Sequence, residues 1–126
     1  GRRGERLACR LVRRLGLDVL TRNYRTEHGE IDIVARDGAT LCFIEVKTRH
    51  RADPGRPADA VGNTKRRRII RSANRYRREI GDPPIRCRYD IVEIILHRGS
   101  VIEARYWEAA FTDEPQPRSD VMARYD

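Results

Sequence analysis

Apolar residues recur along residues 3–15 at the three- and four-residue spacing of one helix face. Arginines cover most of the remaining positions, and Gly16 ends the segment. At about 100° per residue, Glu5 projects beside Val12, on the edge of the apolar stripe. The pattern predicts an amphipathic helix with one acidic side chain next to its buried face. The stripe consists of Leu7, Ala8, Leu11, Val12 and Leu15.

Three segments with strand-like patterns follow, at residues 18–24, 30–35 and 40–48. A short polar turn separates the first two, and Asp37-Gly38, a dipeptide suited to a tight hairpin, separates the last two. Such short connections make neighbouring strands antiparallel. Residues 49–62 contain two prolines and two glycines, which predicts a mobile loop.

Residues 63–80 predict a second helix, which Gly81 ends. Residues 88–96 and 101–107 have the pattern of two further strands, and the proline-containing tail at 112–126 is expected to be disordered. The order αβββαββ predicts one α/β domain, residues 1–111, with helices packed on a mixed sheet. The buried face of the second helix is expected to consist of Ile69, Ile70, Ala73, Tyr76 and Ile80.

The charge balance bears on the kind of partner. Lys plus Arg number 27 against 19 Asp plus Glu, a net charge of +8 in 126 residues, and most of the cations are arginine. Such a domain attracts polyanions, and the planar guanidinium suits phosphate oxygens. A GC-rich genome explains the arginine total equally well. The distribution of charge along the chain therefore has to distinguish polyanion binding from genome composition.

The cysteines and the apolar runs indicate the compartment. Cys9, Cys42 and Cys87 are odd in number and form no CxxC pair, which predicts small apolar residues in a reducing compartment. No apolar run reaches the roughly 18–20 residues that span a bilayer. We therefore expect a cytoplasmic protein without a membrane partner. The oligomeric state stays open, with a homodimer among the alternatives.

The third strand contains a Glu-x-Lys pattern. Strand alternation places Glu45 and Lys47 on one face together with Phe43, with roughly 6.6 Å between the two charged residues along the strand. Burying either charge is costly unless it is paired or bound to a metal. The alternative interpretation is a salt-bridged pair at the exposed end of the strand.

The second strand places a further carboxylate nearby. Glu30 and Asp32 share one face by the same alternation, and the hairpin at Asp37-Gly38 brings Asp32 towards Glu45. Two converging carboxylates repel each other, and a bound divalent cation relieves that repulsion. The alternative places them in water, with arginine partners such as Arg36 and Arg49.

Together these features resemble the restriction-endonuclease-like PD-(D/E)xK superfamily, which includes archaeal Holliday-junction resolvases. The chain is also similar, over about residues 4–111, to the YraN family of small bacterial proteins. The resemblance implies a restriction-endonuclease-like fold. It rests on Gly4-Glu5, Asn23-Tyr24-Arg25, Gly29-Glu30-Ile31-Asp32, Phe43-Ile44-Glu45-Val46-Lys47-Thr48-Arg49, Ala60-Val61, Lys65 and Tyr89-Asp90-Ile91-Val92.

The resemblance also implies roles for individual residues. Asp32 and Glu45 correspond to the metal-binding acids, and the backbone carbonyl of Val46 is a further ligand candidate. Lys47 corresponds to the catalytic lysine, and Glu5 to the first-helix acid of the resolvases. Mg²⁺ or Mn²⁺ is the expected cofactor, since such ions favour oxygen ligands.

The second helix is strongly basic, and Glu79 offers it local compensation. We expect this surface to bind the phosphate backbone of DNA, although a merely solvated helix face is the alternative. With 6% aromatic residues, the chain shows no obvious platform for base stacking, which favours recognition of backbone and shape. The expected phosphate-binding residues are Lys65, Arg66, Arg67, Arg68, Arg71 and Arg75.

The leading hypothesis is a metal-dependent DNA endonuclease, and the resolvase resemblance implies branched or otherwise structured DNA as its substrate. A noncatalytic nucleic-acid-binding module with the same fold is one alternative. An adaptor whose basic helix docks an acidic protein is another. Asp90, which interrupts an apolar strand, either supports the site or forms a buried salt bridge to an arginine.

Overall fold

Two helices pack on opposite faces of a five-stranded sheet in a computed structural model that describes residues 2–51, 55 and 61–113. The strands lie in the order β1-β2-β3-β4-β5. β3 and β4 pair in parallel, and the other neighbours pair antiparallel. The predicted order αβββαββ and the mixed sheet are confirmed. The elements are α1 (Arg2–Arg14), β1 (Asp18–Thr26), β2 (Gly29–Asp37), β3 (Thr40–His50), α2 (Asn63–Glu79), β4 (Arg86–His97) and β5 (Ser100–Phe111).

The central strand β3 separates two apolar cores. Cys42 and Ile44 face α1, where they pack with Ala8, Cys9 and Val12. On the opposite face, the α2 side, Leu41 and Phe43 pack with Ile69 and Ala73 of α2. A strand covered on both faces has apolar residues at successive positions, as the sequence of β3 predicted. The odd-numbered residues of β3 therefore lie on the α2 side of the sheet.

The last apolar residue of each predicted helix stripe is exposed, which corrects the prediction for Leu15 and Ile80. Each lies one residue beyond its helix, in the turn that leads into a glycine with positive φ. The change of backbone direction carries both side chains away from the core. Ser72 is buried on α2 instead, because its hydroxyl pairs with that of Thr26 at 2.8 Å.

The strands extend beyond their predicted bounds. Arg49 and His50, predicted as loop, belong to β3 because the parallel pairing with β4 continues to His50 and Leu96. Positions 52–54 and 56–60 of the predicted loop, and positions 114–126 of the predicted tail, lie outside the described residues. Among the described helices, neither has the length and apolarity that crossing a membrane requires.

Candidate active site

β2 and β3 part where their acidic residues would meet. Their paired register ends at Ile33 and Ile44, so Asp32 and Glu45 would form the next pair. Instead, the Oδ2 atom of Asp32 accepts a hydrogen bond from the backbone N–H of Val46 at 2.8 Å. The side chain of Asp32 thereby takes over a hydrogen bond that a continued strand pair would have made through the backbone.

An irregularity in β1 lies beside this point. Asn23 has a φ of +53°, a left-handed conformation that asparagine tolerates better than most residues. With its amide nitrogen turned towards the neighbouring acids, it donates to Glu5 Oε2 at 3.2 Å and to Glu30 Oε1 at 3.0 Å. Asn23 therefore links the helix-one acid to the β2 acids, a role that the sequence pattern did not reveal.

The acidic residues of the sheet face a cavity of about 540 Å³ beneath the first turns of α2. The structure thus brings Asp32 and Glu45 together, as the strand pattern predicts, with Glu30 beside them. Among the described residues, neither Lys47 nor Glu5 contributes to the wall of this cavity. Its lining consists of Gly29, Glu30, Asp32, Glu45, Gly62, Thr64, Lys65, Arg68 and Ile69.

The negative charge on Asp32 is poorly stabilised. Burial and the carboxylate of Glu45 raise the pKa of Asp32 to about 7. Glu5 and Glu30 add to this shift, whereas the N–H of Val46 opposes it. The cluster therefore holds more negative charge than its surroundings compensate, a condition that a bound cation relieves.

Glu45 has an ion-pair partner on α2. It is 7% exposed, and its Oε1 atom lies 2.6 Å from the ammonium of Lys65. The alternative interpretation, a Glu45–Lys47 pair, is wrong. Lys47 is half-buried two residues further along the same strand face, and among the described residues it has no ion-pair partner.

The arginine partners suggested by the sequence lie elsewhere. Arg36 pairs with Asp18 at 3.1 Å, and Arg49 pairs with Glu93 at 2.7 Å. Neither therefore neutralises Asp32. In the part of the chain that the structure describes, no three or more His, Cys, Asp or Glu side chains form a ready metal-binding group. Magnesium is commonly coordinated by one or two protein carboxylates together with waters and substrate phosphates. A site built on Asp32 and Glu45 matches this coordination.

The six expected phosphate-binding residues of α2 fall into two groups, four that face the cavity or solvent and two that bind other parts of the protein. Lys65 and Arg68 line the acidic cavity, and Arg67 and Arg71 are exposed to solvent. The other two expected phosphate-binding residues are engaged within the protein. Arg66 donates to the carbonyl of Val61 at 2.9 Å and lies over the ring of Phe111, and Arg75 binds Glu27 and Glu79.

Asp90 belongs to a buried structural network. It is fully buried and accepts hydrogen bonds from Arg88 Nε at 3.0 Å, from the backbone N–H of Ala109 at 2.8 Å and from the hydroxyl of Tyr106. Tyr106 packs with the α1-side core, on the face opposite the acidic cavity. Of the two alternatives for Asp90, the structure supports the salt bridge.

Sequence reasoning missed a buried acid in β4. Glu93 pairs in register with Lys47 and is 2% exposed. Its position within the apolar run Ile91-Val92-Glu93-Ile94-Ile95 was the available signal, because a carboxylate in a fully buried strand requires partners. Arg49 and Trp107 supply them, at 2.7 and 3.2 Å.

The mixed sheet, the element order and the helices on both faces define a restriction-endonuclease-like fold, with acidic residues where β2 and β3 part. The chain belongs to the uncharacterised protein family UPF0102, whose sequence model matches residues 4–94. That range contains the acidic cavity, Lys47 and the whole of α2, and it ends within β4. The family membership confirms the resemblance to the YraN family, whereas the resemblance to the nuclease superfamily stays a prediction.

Several bacterial relatives are similar along most of their length. A UPF0102 protein of Chlorobium phaeobacteroides (strain BS1) is 46% identical over 97 residues, covering 77% of each chain. One from Chlorobium chlorochromatii is 44% identical over 114 residues, which is 90% of this chain and 84% of the relative. One from Nocardia farcinica is 42% identical over 99 residues, covering 79% and 78% of the two chains.

Proposed function

We propose that this chain is a metal-dependent endonuclease that hydrolyses phosphodiester bonds in DNA, with branched or otherwise structured DNA as its substrate. The observation that carries the proposal is the convergence of Asp32 and Glu45 in one cavity whose other side is the basic helix α2. Binding to nucleic acid alone gives no reason to direct two carboxylates towards phosphate. A cation placed between acids and phosphate turns the same arrangement into a favourable one.

The donor set suits Mg²⁺ or Mn²⁺, because the cavity offers carboxylate oxygens and no sulfur ligand among its described walls. Asp32 and Glu45 would hold the ion, and the Val46 carbonyl and Glu5 are further candidate ligands. The raised pKa of Asp32 supports this assignment, since a cation would stabilise the ionised form. When bound, the metal would supply a water of lowered pKa and would stabilise charge on the phosphate.

Two lysines have separate parts in this proposal. Lys47 lies on the same strand face as Glu45 and is not neutralised by a described acid, so its ammonium is available to orient the attacking water and to stabilise charge at phosphorus. Lys65 is half-exposed and close to the acids, so it is suited to hold a backbone phosphate at the cavity. Arg67, Arg68 and Arg71 extend the cationic surface along α2.

A DNA substrate and free cysteines also fit a cytoplasmic location, which we include in the proposal. The decisive experiment incubates purified protein with linear, flapped and four-way DNA, with Mg²⁺ or Mn²⁺ and with EDTA. The proposal requires metal-dependent cleavage that Asp32→Asn abolishes. Normal DNA binding without cleavage under any divalent ion would instead favour a noncatalytic binding module.

A further inference from the structure

A second cavity, of about 470 Å³, lies over β4 and β5 beside the end of β3. Among the described residues, it shares no lining residue with the acidic cavity. Its walls combine the indole ring of Trp107, the imidazole of His50, three guanidinium groups, two carboxylates and two aliphatic side chains. The residues used below are Arg49, Glu93, Ile95, Ile102, Arg105 and Trp107.

A buried carboxylate holds the inner wall of this cavity in place. Glu93 is 2% exposed, and its Oε2 atom accepts a hydrogen bond from Arg49 Nη1 at 2.7 Å. Its Oε1 atom accepts one from the indole N–H of Trp107 at 3.2 Å. One carboxylate therefore fixes a guanidinium plane and an indole ring together, and it compensates the charge of the partly buried Arg49.

The outer wall is more accessible. The side chain of Arg105 is 50% exposed, and its Nε and Nη2 atoms each donate to Glu103 at 2.9 Å, which holds the guanidinium plane. Glu93 lies 3.9 Å from Arg105, and Ile102 is 48% exposed. Flat groups in a protein surface of this kind accept nucleobases, because bases stack on aromatic rings and on guanidinium planes. A cavity of this volume is in the range of small-ligand sites. The low aromatic content predicted no stacking platform, but the fold places the chain's single tryptophan in such a cavity.

The position of the cavity relates it to the proposed nuclease site. Arg49 follows Lys47 by two residues on the α2 side of β3, a separation of roughly 6.6 Å along the strand. A DNA strand whose phosphate lies at Lys47 can therefore reach the cavity with a neighbouring nucleotide. A base paired and stacked within a duplex cannot enter a pocket without leaving the stack.

We propose that this second cavity binds one unpaired nucleobase of the substrate DNA strand, next to the phosphate that is cleaved. The inference rests on the proposed nuclease function and defines its substrate class as DNA with unpaired nucleotides close to the cleavage point, such as flapped DNA. The stacking surfaces are Trp107 and the guanidinium of Arg105, and Ile95 and Ile102 supply apolar contact.

Trp107 provides a direct readout, because it is the one tryptophan of the 126 residues. The full chain is titrated in EDTA with a single-stranded DNA oligonucleotide, the blunt duplex of the same sequence, the matching RNA strand and a nucleoside monophosphate. Fluorescence anisotropy of a labelled strand reports binding, and tryptophan emission reports occupancy of the cavity. Single-stranded DNA should quench the emission saturably, whereas the duplex should bind with little quenching.

Variants test which residues form the pocket. Arg105→Ala should weaken single-stranded DNA binding about tenfold and should leave duplex binding within about twofold, since it removes one stacking surface for an unpaired base. Trp107→Leu should give a similar loss. Arg105 is half-exposed on β5, so its replacement keeps the test valid if the tryptophan variant folds poorly. Arg86→Ala, which removes an exposed arginine from the start of β4, is the charge-matched control and should have no such selective effect.

Three results would overturn the inference: unchanged emission when anisotropy shows bound single-stranded DNA, equal quenching by duplex, or tighter binding and stronger quenching with RNA or the monophosphate. The readout needs no cleavage, so the two proposals fail separately. Quenching without any metal-dependent cleavage would count against the nuclease. Cleavage of flapped DNA without quenching would count against the pocket alone.

Discussion

The ammonium of Lys65 lies 2.6 Å from Oε1 of Glu45 and joins the basic helix α2 to the acidic cavity of the sheet. A buried carboxylate needs a partner, and among the described residues Lys65 is the cation paired with Glu45. Lys65 is half-exposed and long, so it can leave Glu45 without disturbing the core. In the proposed function, metal binding at Glu45 frees this ammonium for a phosphate.

The first prediction follows from that competition. Lys65→Met keeps much of the side-chain length but removes the charge, so it should increase the affinity for Mn²⁺, measured by isothermal titration calorimetry, and weaken DNA binding. Because the variant leaves the buried carboxylate of Glu45 unpaired, it should also lower the folding free energy without metal, by up to about 3 kcal/mol. Arg67→Met is the control on an exposed face of the same helix. A lower Mn²⁺ affinity in Lys65→Met would contradict the competition.

The second prediction separates catalysis from binding. Asp32→Asn and Glu45→Gln remove charge and keep shape, so each should abolish metal-dependent DNA cleavage, a loss of about 100-fold or more. Both should retain or increase DNA affinity, because less negative charge faces the phosphates. Lys47→Ala should also abolish cleavage but should weaken binding slightly, since it removes a cation.

Gel assays of cleavage and anisotropy measurements of DNA affinity are made on the same preparations. They check whether the acid variants and the lysine variant change DNA affinity in opposite directions. Wild-type cleavage in all three variants would assign the activity to a contaminant or to another site. A loss of affinity in Asp32→Asn as large as in Lys47→Ala would mean that the variants act through folding instead of charge.

The third prediction concerns pH and the metal-free protein. Folding raises the pKa of Asp32 from 3.8 to about 7, so between these values the folded protein binds a proton that the unfolded chain has released. The free energy of unfolding should therefore fall as pH rises from about 4 to 7, by up to about 1.4 kcal/mol per pH unit from this group, and level off above pH 7.

Denaturant unfolding of wild type and Asp32→Asn at several pH values in EDTA isolates this contribution. The variant should gain stability over wild type as pH rises through that window, because asparagine has no proton to lose. Adding Mn²⁺ at pH 8 should stabilise wild type more than the variant. A stability difference that does not change with pH would show that Asp32 is not held as the structure describes.

The fourth prediction locates the DNA-binding surface. Replacing Arg67, Arg68 and Arg71 together with alanine should weaken DNA binding regardless of sequence. It should also flatten the dependence of log K on log salt, by up to about 0.9 for each phosphate that the removed arginines neutralise. Arg75→Ala is the matched control, since Arg75 already binds Glu27 and Glu79 within the protein. An unchanged slope in the triple variant would move the DNA surface away from α2.

Local sequence patterns predicted much of the fold and the close approach of Asp32 to Glu45. β3 is apolar on both faces, which predicts a central strand, and its alternation places Glu45 on the same side as Phe43. The turn at Asp37-Gly38 sets the register of β2 against β3, and that register brings Asp32 beside Glu45. Strand alternation and hairpin register depend on a few neighbouring residues, so they can be predicted from the sequence.

Only the tertiary structure decided the partners of the charged groups. Glu45 pairs with Lys65, 20 positions away, because α2 packs over this part of the sheet. Lys47 lies nearer to Glu45 in the chain but does not pair with it. Glu93 binds Arg49 and Trp107 because β4 lies between β3 and β5. A long charged side chain pairs with a charged or polar group that packing brings within about 4 Å. Helix placement and strand order, not spacing in the chain, determine which groups come that close.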